Sequence, residues 1–266
     1  MAEQSLIKVK GIVTRSVQFK ENDKIVTVLT SELGLISVYC HGAKSNKSRF
    51  LTPTRLFCYS EFVLTRKKDF YYIKEADYIE AFFDIVNSID KLFLGQYFLE
   101  VVNEVCVEGE RQDEVLRLLL NSLYALSTDM CGISKIKSTF EMRICAEMGV
   151  SPNLSGCHSC GNTECESYYI DVLNGDIICR DCLLSESEQN RYTSDLKTAG
   201  TYLSVSPSVL VAMRYVSECK TERIFSYTLS DEAFNDFSII SEKYLLNQVG
   251  KSFKTLDLYN EQIKNI

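Results

Sequence analysis

Apolar and polar residues alternate along the first 80 positions of the chain, with the period of two that is typical of strands. Short strands are predicted around residues 7–12, 25–30, 35–39, 56–64 and 70–74, and Lys67-Lys68-Asp69 is a predicted hairpin tip before the last of them. Five short strands in about 75 residues suit a small closed barrel. The alternation fits an OB barrel and an SH3-like barrel equally well.

From residue 81 the apolar spacing changes to that of helices. Gly149 and Pro152 are stop signals for one of them, and Ser230 is the predicted N-cap of the last, with Gly250 just past its end. The sequence therefore predicts an α+β protein with a barrel domain over residues 1–80 and a helical domain over 81–266. Helices are predicted over residues 88–106, 113–126, 133–148, 207 to about 219, and 231 to about 248.

The composition is that of an ordinary globular protein, with 45% hydrophobic and 24% charged residues among 266. No apolar run reaches the roughly 18 residues that a membrane span needs, and the N-terminus lacks the pattern of a signal peptide. We therefore expect a cytoplasmic protein, in which disulfides are disfavoured.

Five of the 11 cysteines crowd into residues 157–182. Cys157 and Cys160 form one C-x-x-C pair, and Cys179 and Cys182 form a second pair 18 residues later. Asn174-Gly175 lies between two strand-like segments and predicts a two-residue hairpin turn, which folds the second pair back beside the first. This spacing predicts a four-thiolate zinc site in a zinc-finger insertion over residues 151–186.

The cysteine pattern has other interpretations. A disulfide framework does not suit the expected compartment, and a thioredoxin-like redox site needs one such pair rather than two. Four unligated buried thiols remain an alternative. Cys165 is expected to pack or be partly exposed, although it could replace a ligand, and His158 is expected to be exposed. The scattered cysteines are expected to be small buried hydrophobes: Cys40, Cys58, Cys106, Cys131, Cys145 and Cys219.

Little in the sequence favours an enzyme. Four thiolates leave no open coordination position, so the metal is expected to be structural. The chain has two histidines, His41 and His158, and it contains no Walker loop, G-x-G-x-x-G or H-E-x-x-H motif.

Charge is distributed unevenly. The net charge is −7, yet residues 1–80 carry 13 basic and 9 acidic side chains, so the barrel domain is at +4 and the remainder at −11. Four basic residues fall within positions 41–55, where they could bind phosphates. A solvated surface loop is the alternative for such a stretch.

Two blocks of sequence resemble the RecO family of recombination mediators. The first is Gly42-Ala43-Lys44, Lys47-Ser48-Arg49 and Leu51-Thr52-Pro53, preceded by Asn22-Asp23-Lys24 and Gly34. The second runs from Phe140-Glu141-Met142-Arg143 through Gly149 and Pro152 into both cysteine pairs. The resemblance covers most of residues 5–215.

The resemblance implies an N-terminal OB fold, a helical C-terminal domain and a zinc finger. It also implies binding of single- and double-stranded DNA, annealing of complementary strands, assembly with RecR, and contact with the acidic tail of single-strand-binding protein, so that RecA can load at the nucleoid. Nucleic acid would then meet a positive groove with exposed rings. Phe19, Tyr39, Phe70 and Tyr71 are the candidate rings, although each is also a candidate for the core. The predicted DNA-binding residues are Arg15, Lys24, Lys44, Lys47, Arg49, Arg55, Arg66, Lys67 and Lys68.

Alternative functions stay open at this point. The chain could be an RNA-binding OB module with a zinc ribbon, a protein-binding scaffold, or, least favoured, a metal-dependent nuclease. For the acidic tail, a hydrophobic groove edged by Lys137 or Arg143 is the hypothesis.

Overall fold

The computed structural model describes residues 5–68, 70–190 and 201–264. The chain divides into two compact units, one of residues 1–130 with 253–266 and the other of residues 131–252. The last barrel strand ends at Ala81, one residue beyond the predicted boundary, whereas the first unit continues to residue 130. The unit is larger than the barrel because the two helices that follow the barrel contact it, and the last helix of the chain packs against the first of them.

Five strands form the barrel of the first unit: β1 (Leu6–Phe19), β2 (Asp23–Thr30), β3 (Gly34–Cys40), β4 (Cys58–Lys67) and β5 (Phe70–Ala81). The barrel is closed, in the order β1-β2-β3-β5-β4. β1 pairs with both β2 and β4, and β3 runs parallel to β5. This order is that of a five-stranded OB barrel, so the OB prediction is confirmed. Of the predicted hairpin tip between β4 and β5, Asp69 lies outside the described residues.

Strand alternation sets the barrel core. In β3 every second residue is buried, because successive side chains of a strand point to opposite faces. The core is made mainly of aliphatic side chains with a β-branched majority: Val9, Val13, Val26, Val28, Ile36, Val38, Phe62, Leu64, Tyr71 and Ile73.

The described residues contain seven α-helices: α1 (Ile89–Val105), α2 (Asp113–Ser127), α3 (Ile133–Glu147), α4 (Arg180–Asn190), α5 (Pro207–Glu218), α6 (Asp231–Val249) and α7 (Lys254–Lys264). Five of them were predicted, and these predictions are confirmed to within about two residues. The Ser230 hydroxyl accepts a hydrogen bond from the Ala233 amide, and Gly250 adopts the left-handed conformation that ends α6, as expected of caps. The sequence did not predict α4 or α7 as separate helices.

In the first unit, α1 and α2 follow the barrel and α7 packs against α1. In the second unit, α3 packs against α5 and α6 beside a three-stranded sheet. That sheet has the order β7-β6-β8, from β6 (Tyr168–Asp171), β7 (Ile177–Cys179) and β8 (Tyr202–Val205). β8 was not predicted, since its pairing with β6 joins residues about 30 apart.

The turn between β6 and β7 corrects one prediction. Asn174-Gly175 is not a two-residue turn: Asp171 pairs with Asp176, so four residues form the loop. The Asp171 carboxylate accepts hydrogen bonds from the Leu173 amide and the Asn174 side chain. Gly175 has a φ of +78°, and a Cβ there would lie 2.6 Å from the hydroxyl of Tyr244. A local turn signal predicted the reversal but not its length.

Among the residues that the structure describes, none of the helices is both long and apolar enough to cross a lipid bilayer.

Candidate nucleic-acid interface and metal centre

Residues 41–57 connect β3 to β4 by consecutive turns, and we call this segment the basic loop. Its four basic side chains, those of Lys44, Lys47, Arg49 and Arg55, are exposed. Lys44 and Lys47 make no ion pair and no side-chain hydrogen bond with any residue that the structure describes. Their ammonium groups are therefore open to an external anion such as a phosphate.

The two arginines of the basic loop also contact the protein. The Arg49 guanidinium donates a hydrogen bond of 2.6 Å to the carbonyl oxygen of Lys74 and lies 4.9 Å from the centre of the Phe50 ring. The Arg55 guanidinium lies 4.3 Å from the centre of the Phe83 ring. A guanidinium stacked on a ring keeps its N–H donors at the edge of the ring. The protein therefore holds both arginine side chains in place while their charge stays exposed.

The end of the β4–β5 hairpin forms a second group of exposed basic residues, Arg66, Lys67 and Lys68. Arg66 is paired with Glu108, with 3.5 Å between Nη2 and Oε1, so its charge is partly neutralised. Arg15 is exposed on β1, just after a bulge in its pairing with β2.

Three rings form a continuous row on the outside of the barrel, and we call Phe19, Tyr39 and Tyr72 the aromatic row. The ring centres of Phe19 and Tyr39 are 5.8 Å apart, and those of Tyr39 and Tyr72 are 5.4 Å apart. Lysine ammonium groups lie at both ends, Lys20 5.5 Å from the Phe19 ring and Lys67 5.5 Å from the Tyr72 ring. Rings flanked by cations form the type of surface on which single-stranded bases stack.

The four predicted metal ligands, Cys157, Cys160, Cys179 and Cys182, lie together, with all of their sulfurs within 4.8 Å of one another. The sulfurs of Cys160 and Cys179 are 3.9 Å apart. Tetrahedral zinc with Zn–S bonds of about 2.3 Å requires sulfur–sulfur distances of about 3.8 Å. The cluster is therefore of the right size to hold one metal ion.

Backbone amides favour the thiolate form of one of the four cysteines, Cys157. Burial acts to raise the pKa of Cys157, but amides of Cys179, Cys160 and Ser159 directed at its sulfur lower that pKa to about 6. The pKa of Cys182 is raised instead, because its thiol hydrogen-bonds with Cys179 and Cys160. Four thiolates at this separation repel one another, and a divalent cation between them would remove that repulsion.

Comparison with known families identifies the chain. The model of the N-terminal domain of recombination protein O matches residues 1–82, and the model of its C-terminal domain matches residues 86–257. The chain belongs to the RecO family.

Curated relatives agree with the family models over nearly the full length. The protein named DNA repair protein RecO from Acetivibrio thermocellus is 32% identical over 251 residues, covering 94% of this chain and 95% of that protein. The proteins of the same name from Clostridium acetobutylicum and Caldicellulosiruptor saccharolyticus are 27% and 28% identical, covering 96% and 95% of this chain, and 98% and 97% of their own lengths.

The sequence of this RecO-family chain predicts that Lys24 binds DNA, but Lys24 is buried in the structure. Its side chain is 8% exposed, and its ammonium donates a 3.2 Å hydrogen bond to the carbonyl oxygen of Thr54. Desolvation lowers its pKa. The charge faces into the protein because Lys24 lies on the inward face of β2, and we leave it out of the proposed interface.

The candidate stacking rings divide between the barrel core and the surface. Tyr71 is 2% exposed and belongs to the barrel core, as its alternative interpretation had it, whereas Phe19 and Phe70 are 41% and 47% exposed. Tyr72 was missed, and so was Lys20. The signal was available for Tyr72: it alternates with Tyr71 and Ile73, whose side chains face inward.

The remaining cysteines and histidines lie mostly as expected. Cys165 is half-buried and is not one of the clustered ligands, and His158 is exposed. Of the six scattered cysteines, Cys131 and Cys219 are only partly buried, and the other four are buried.

The structure contradicts the hypothesis that Lys137 or Arg143 edges a groove. Lys137 is 2% exposed and pairs with Glu141 and Glu242 at 2.8 and 2.7 Å. Arg143 is 9% exposed and donates to Glu147 and to carbonyl oxygens at the end of α5. Both side chains have partners inside the second unit, because a buried charge requires them.

Proposed function

We propose that this RecO-family chain is a non-enzymatic mediator of DNA repair and recombination that binds DNA on the outer face of its barrel. The aromatic row would stack on bases of a single strand, while the basic loop and the β4–β5 hairpin bind its phosphates. Binding of this kind is independent of sequence. Annealing of complementary strands then needs only charge neutralisation and alignment, without bond chemistry.

The observation that carries this proposal is the aromatic row with a lysine at each end. Phe19 is 41% exposed, and Tyr39 and Tyr72 are partly exposed, so the row offers a contiguous aromatic surface to a ligand. The ammonium groups of Lys44 and Lys47, which have no partner among the residues that the structure describes, supply the phosphate contacts. The proposed interface consists of Arg15, Lys20, Lys44, Lys47, Arg49, Arg55, Arg66, Lys67 and Lys68 around the three rings.

We further propose that the four clustered cysteines hold one zinc ion. Thiolates are soft ligands, and a tetrahedral four-sulfur set is typical of zinc or of an iron–sulfur centre. When bound, the ion would only stabilise the fold, since no coordination position stays open for substrate. What the chain's own residues do is position the sulfurs, two from the loop before β6 and two at the junction of β7 with α4.

The proposed partners rest on membership of the family. They are single- and double-stranded DNA, RecR, the acidic tail of single-strand-binding protein, and, through displacement of that protein, RecA. A chain with these partners would act at the nucleoid in the cytoplasm. The direct test is annealing of complementary oligonucleotides with and without single-strand-binding protein present, and failure in both conditions would contradict the proposal.

Simultaneous replacement of Lys44, Lys47 and Arg49 by alanine tests the interface. Single-strand binding should weaken for every sequence, because phosphate contacts carry no sequence information. The log–log salt slope should fall by roughly 2 if about three phosphate contacts are lost, at about 0.7 per contact. Fluorescence anisotropy of a labelled oligonucleotide at four or five salt concentrations measures both.

A matched control removes the same charge elsewhere. Lys220, Arg223 and Lys243 are exposed residues of the second unit, and their combined replacement by alanine should leave the slope unchanged. If both triple variants lower the slope equally, DNA responds only to net charge and the proposed interface is wrong. Competition by RNA of the same sequence distinguishes the RNA-binding alternative, which requires RNA to displace DNA at equal concentration.

A further inference from the structure

One carboxylate links the aromatic row to the basic loop. Asp23 opens β2, and its side chain is 7% exposed. On one side its Oδ2 accepts a short hydrogen bond from the hydroxyl of Tyr39, the central ring of the row. On the other side its Oδ1 accepts from the backbone amide of Gly42 at 2.8 Å and lies 2.9 Å from Nδ1 of His41.

Among the residues that the structure describes, the start of the basic loop is held by this carboxylate and by one backbone hydrogen bond to the residue just before β2. That bond runs from the Lys44 amide to the carbonyl oxygen of Asn22 at 3.1 Å. Gly42 has a φ of +65°, which glycine adopts without strain, and in this conformation its amide donates to the Asp23 carboxylate. The backbone that leads to Lys44 is therefore held at two points, and Asp23 supplies one of them.

A carboxylate suits this position for a chemical reason. Three donors converge on it, and an ionised carboxylate has four lone-pair sites and no hydrogen to conflict with them. The hydrogen bonds from Tyr39 and Gly42 lower the pKa of Asp23, and His41 adds to the effect. A negative charge next to a phosphate-binding surface is otherwise unfavourable, so its presence there requires an explanation.

We propose that Asp23 is a positioning residue that holds the basic loop in fixed register with the aromatic row, so that phosphate and base contacts form together. The proposal rests on the proposed function. Asp23 touches no nucleic acid itself. It acts by ordering the loop before binding, which removes the entropic penalty of ordering it during binding.

The first test compares Asp23→Ala with Asp23→Asn. Alanine removes every acceptor, and single-strand affinity should fall about five- to tenfold, which corresponds to the loss of about one hydrogen-bonded anchor. Asparagine keeps an oxygen for Gly42 and His41, and its amide can donate to the hydroxyl oxygen of Tyr39. Its affinity should therefore stay within about twofold of the native protein.

The second test separates positioning from a general structural role. In a protein that already lacks the charges of Lys44, Lys47 and Arg49, Asp23→Ala should weaken binding by less than about twofold, because three of the four phosphate contacts that the loop would position are already gone. An equal loss in both backgrounds would overturn the proposal, and so would Asp23→Ala binding like the native protein. Asp77→Ala, which removes an exposed acidic charge from β5, is the charge control and should not weaken binding.

The two proposals fail differently. If the triple loop variant binds like the native protein, the proposed interface is wrong and the role of Asp23 falls with it. A second outcome is that the triple variant weakens binding, and that Asp23→Ala weakens it by the same factor in the triple variant as in the native protein. In that case only the positioning role is wrong. Should Asp23→Ala not fold, Asp23→Ser takes its place in the same cycle, since one short hydroxyl cannot accept all three hydrogen bonds.

Discussion

At the scale of single residues, two lysines of the first unit show that burial decides whether a lysine is available to bind DNA. Lys44 and Lys24 are the same residue type and both belong to segments that resemble the RecO family. Lys44 is exposed without a partner among the described residues, whereas Lys24 is 8% exposed and donates to the carbonyl oxygen of Thr54. Thr54 lies near the end of the basic loop, so Lys24 attaches that end to β2.

Replacement of Lys24 by methionine tests this assignment. The salt slope of single-strand binding should not change, because a buried ammonium releases no counterions, whereas Lys44→Ala should lower it by about 0.7. The unfolding free energy should fall by about 1 kcal/mol, since the Thr54 carbonyl loses its hydrogen bond. Anisotropy titrations and urea unfolding measure the two quantities. A lower slope in Lys24→Met would return Lys24 to the interface.

At the scale of elements, β5 shows what alternation determines. Tyr71 and Tyr72 are adjacent and chemically identical, yet the first is in the core and the second is in the aromatic row. A shift of one position exchanges the two faces of a strand. The start of β5 contains the correct parity, because Tyr71 and Ile73 are both on the inward side. A shift in the pairing with β4 between Ile73 and Glu75 then brings Ala76 to the inward side as well.

The parity of β5 gives a direct prediction. Tyr72→Ala should weaken single-strand binding by about 1 kcal/mol or more, the usual effect of removing one stacked ring. Tyr78 is a matched control, since it is a tyrosine of the same strand that is 60% exposed but lies outside the aromatic row. Tyr78→Ala should leave affinity unchanged. Equal losses at both positions would show that exposed tyrosines act without regard to the row.

Two separate segments of the chain form the four-cysteine cluster. The first pair of cysteines lies in turns, and the second lies where β7 runs directly into α4. The amide of Cys179 donates to the sulfur of Cys157 at 3.3 Å, so the backbone of one pair orients a ligand of the other.

At the scale of the molecule, charge and metal divide between the two units. The basic residues of the proposed interface all belong to the barrel of the first unit, and the four clustered cysteines all belong to the second. A loss of the metal should therefore act on folding rather than on the DNA contacts. That separation can be measured.

Cys179→Ser should lower zinc content below one per chain and destabilise the protein by about 2 kcal/mol or more, since metal binding contributes directly to folding of such sites. At a temperature below both melting points, single-strand affinity should stay within about twofold, because every proposed contact lies in the barrel. Metal analysis and thermal unfolding provide the readouts. Cys165→Ser is the control and should retain zinc. If Cys165→Ser loses zinc and Cys179→Ser retains it, Cys165 is the ligand in place of Cys179.

The sequence by itself determined the features that depend on neighbouring residues: the strand segments, five helices with their caps, and two cysteine pairs at a spacing that suits one metal. Such features follow from periodicity and turn chemistry, which are local. Only the tertiary structure decided that Lys24 is buried, that Arg66 pairs with Glu108, and that Asp23 joins the ring of Tyr39 to the basic loop. These contacts depend on how strands, loops and the segment after α1 pack together, which brings side chains from separate parts of the chain within bonding distance.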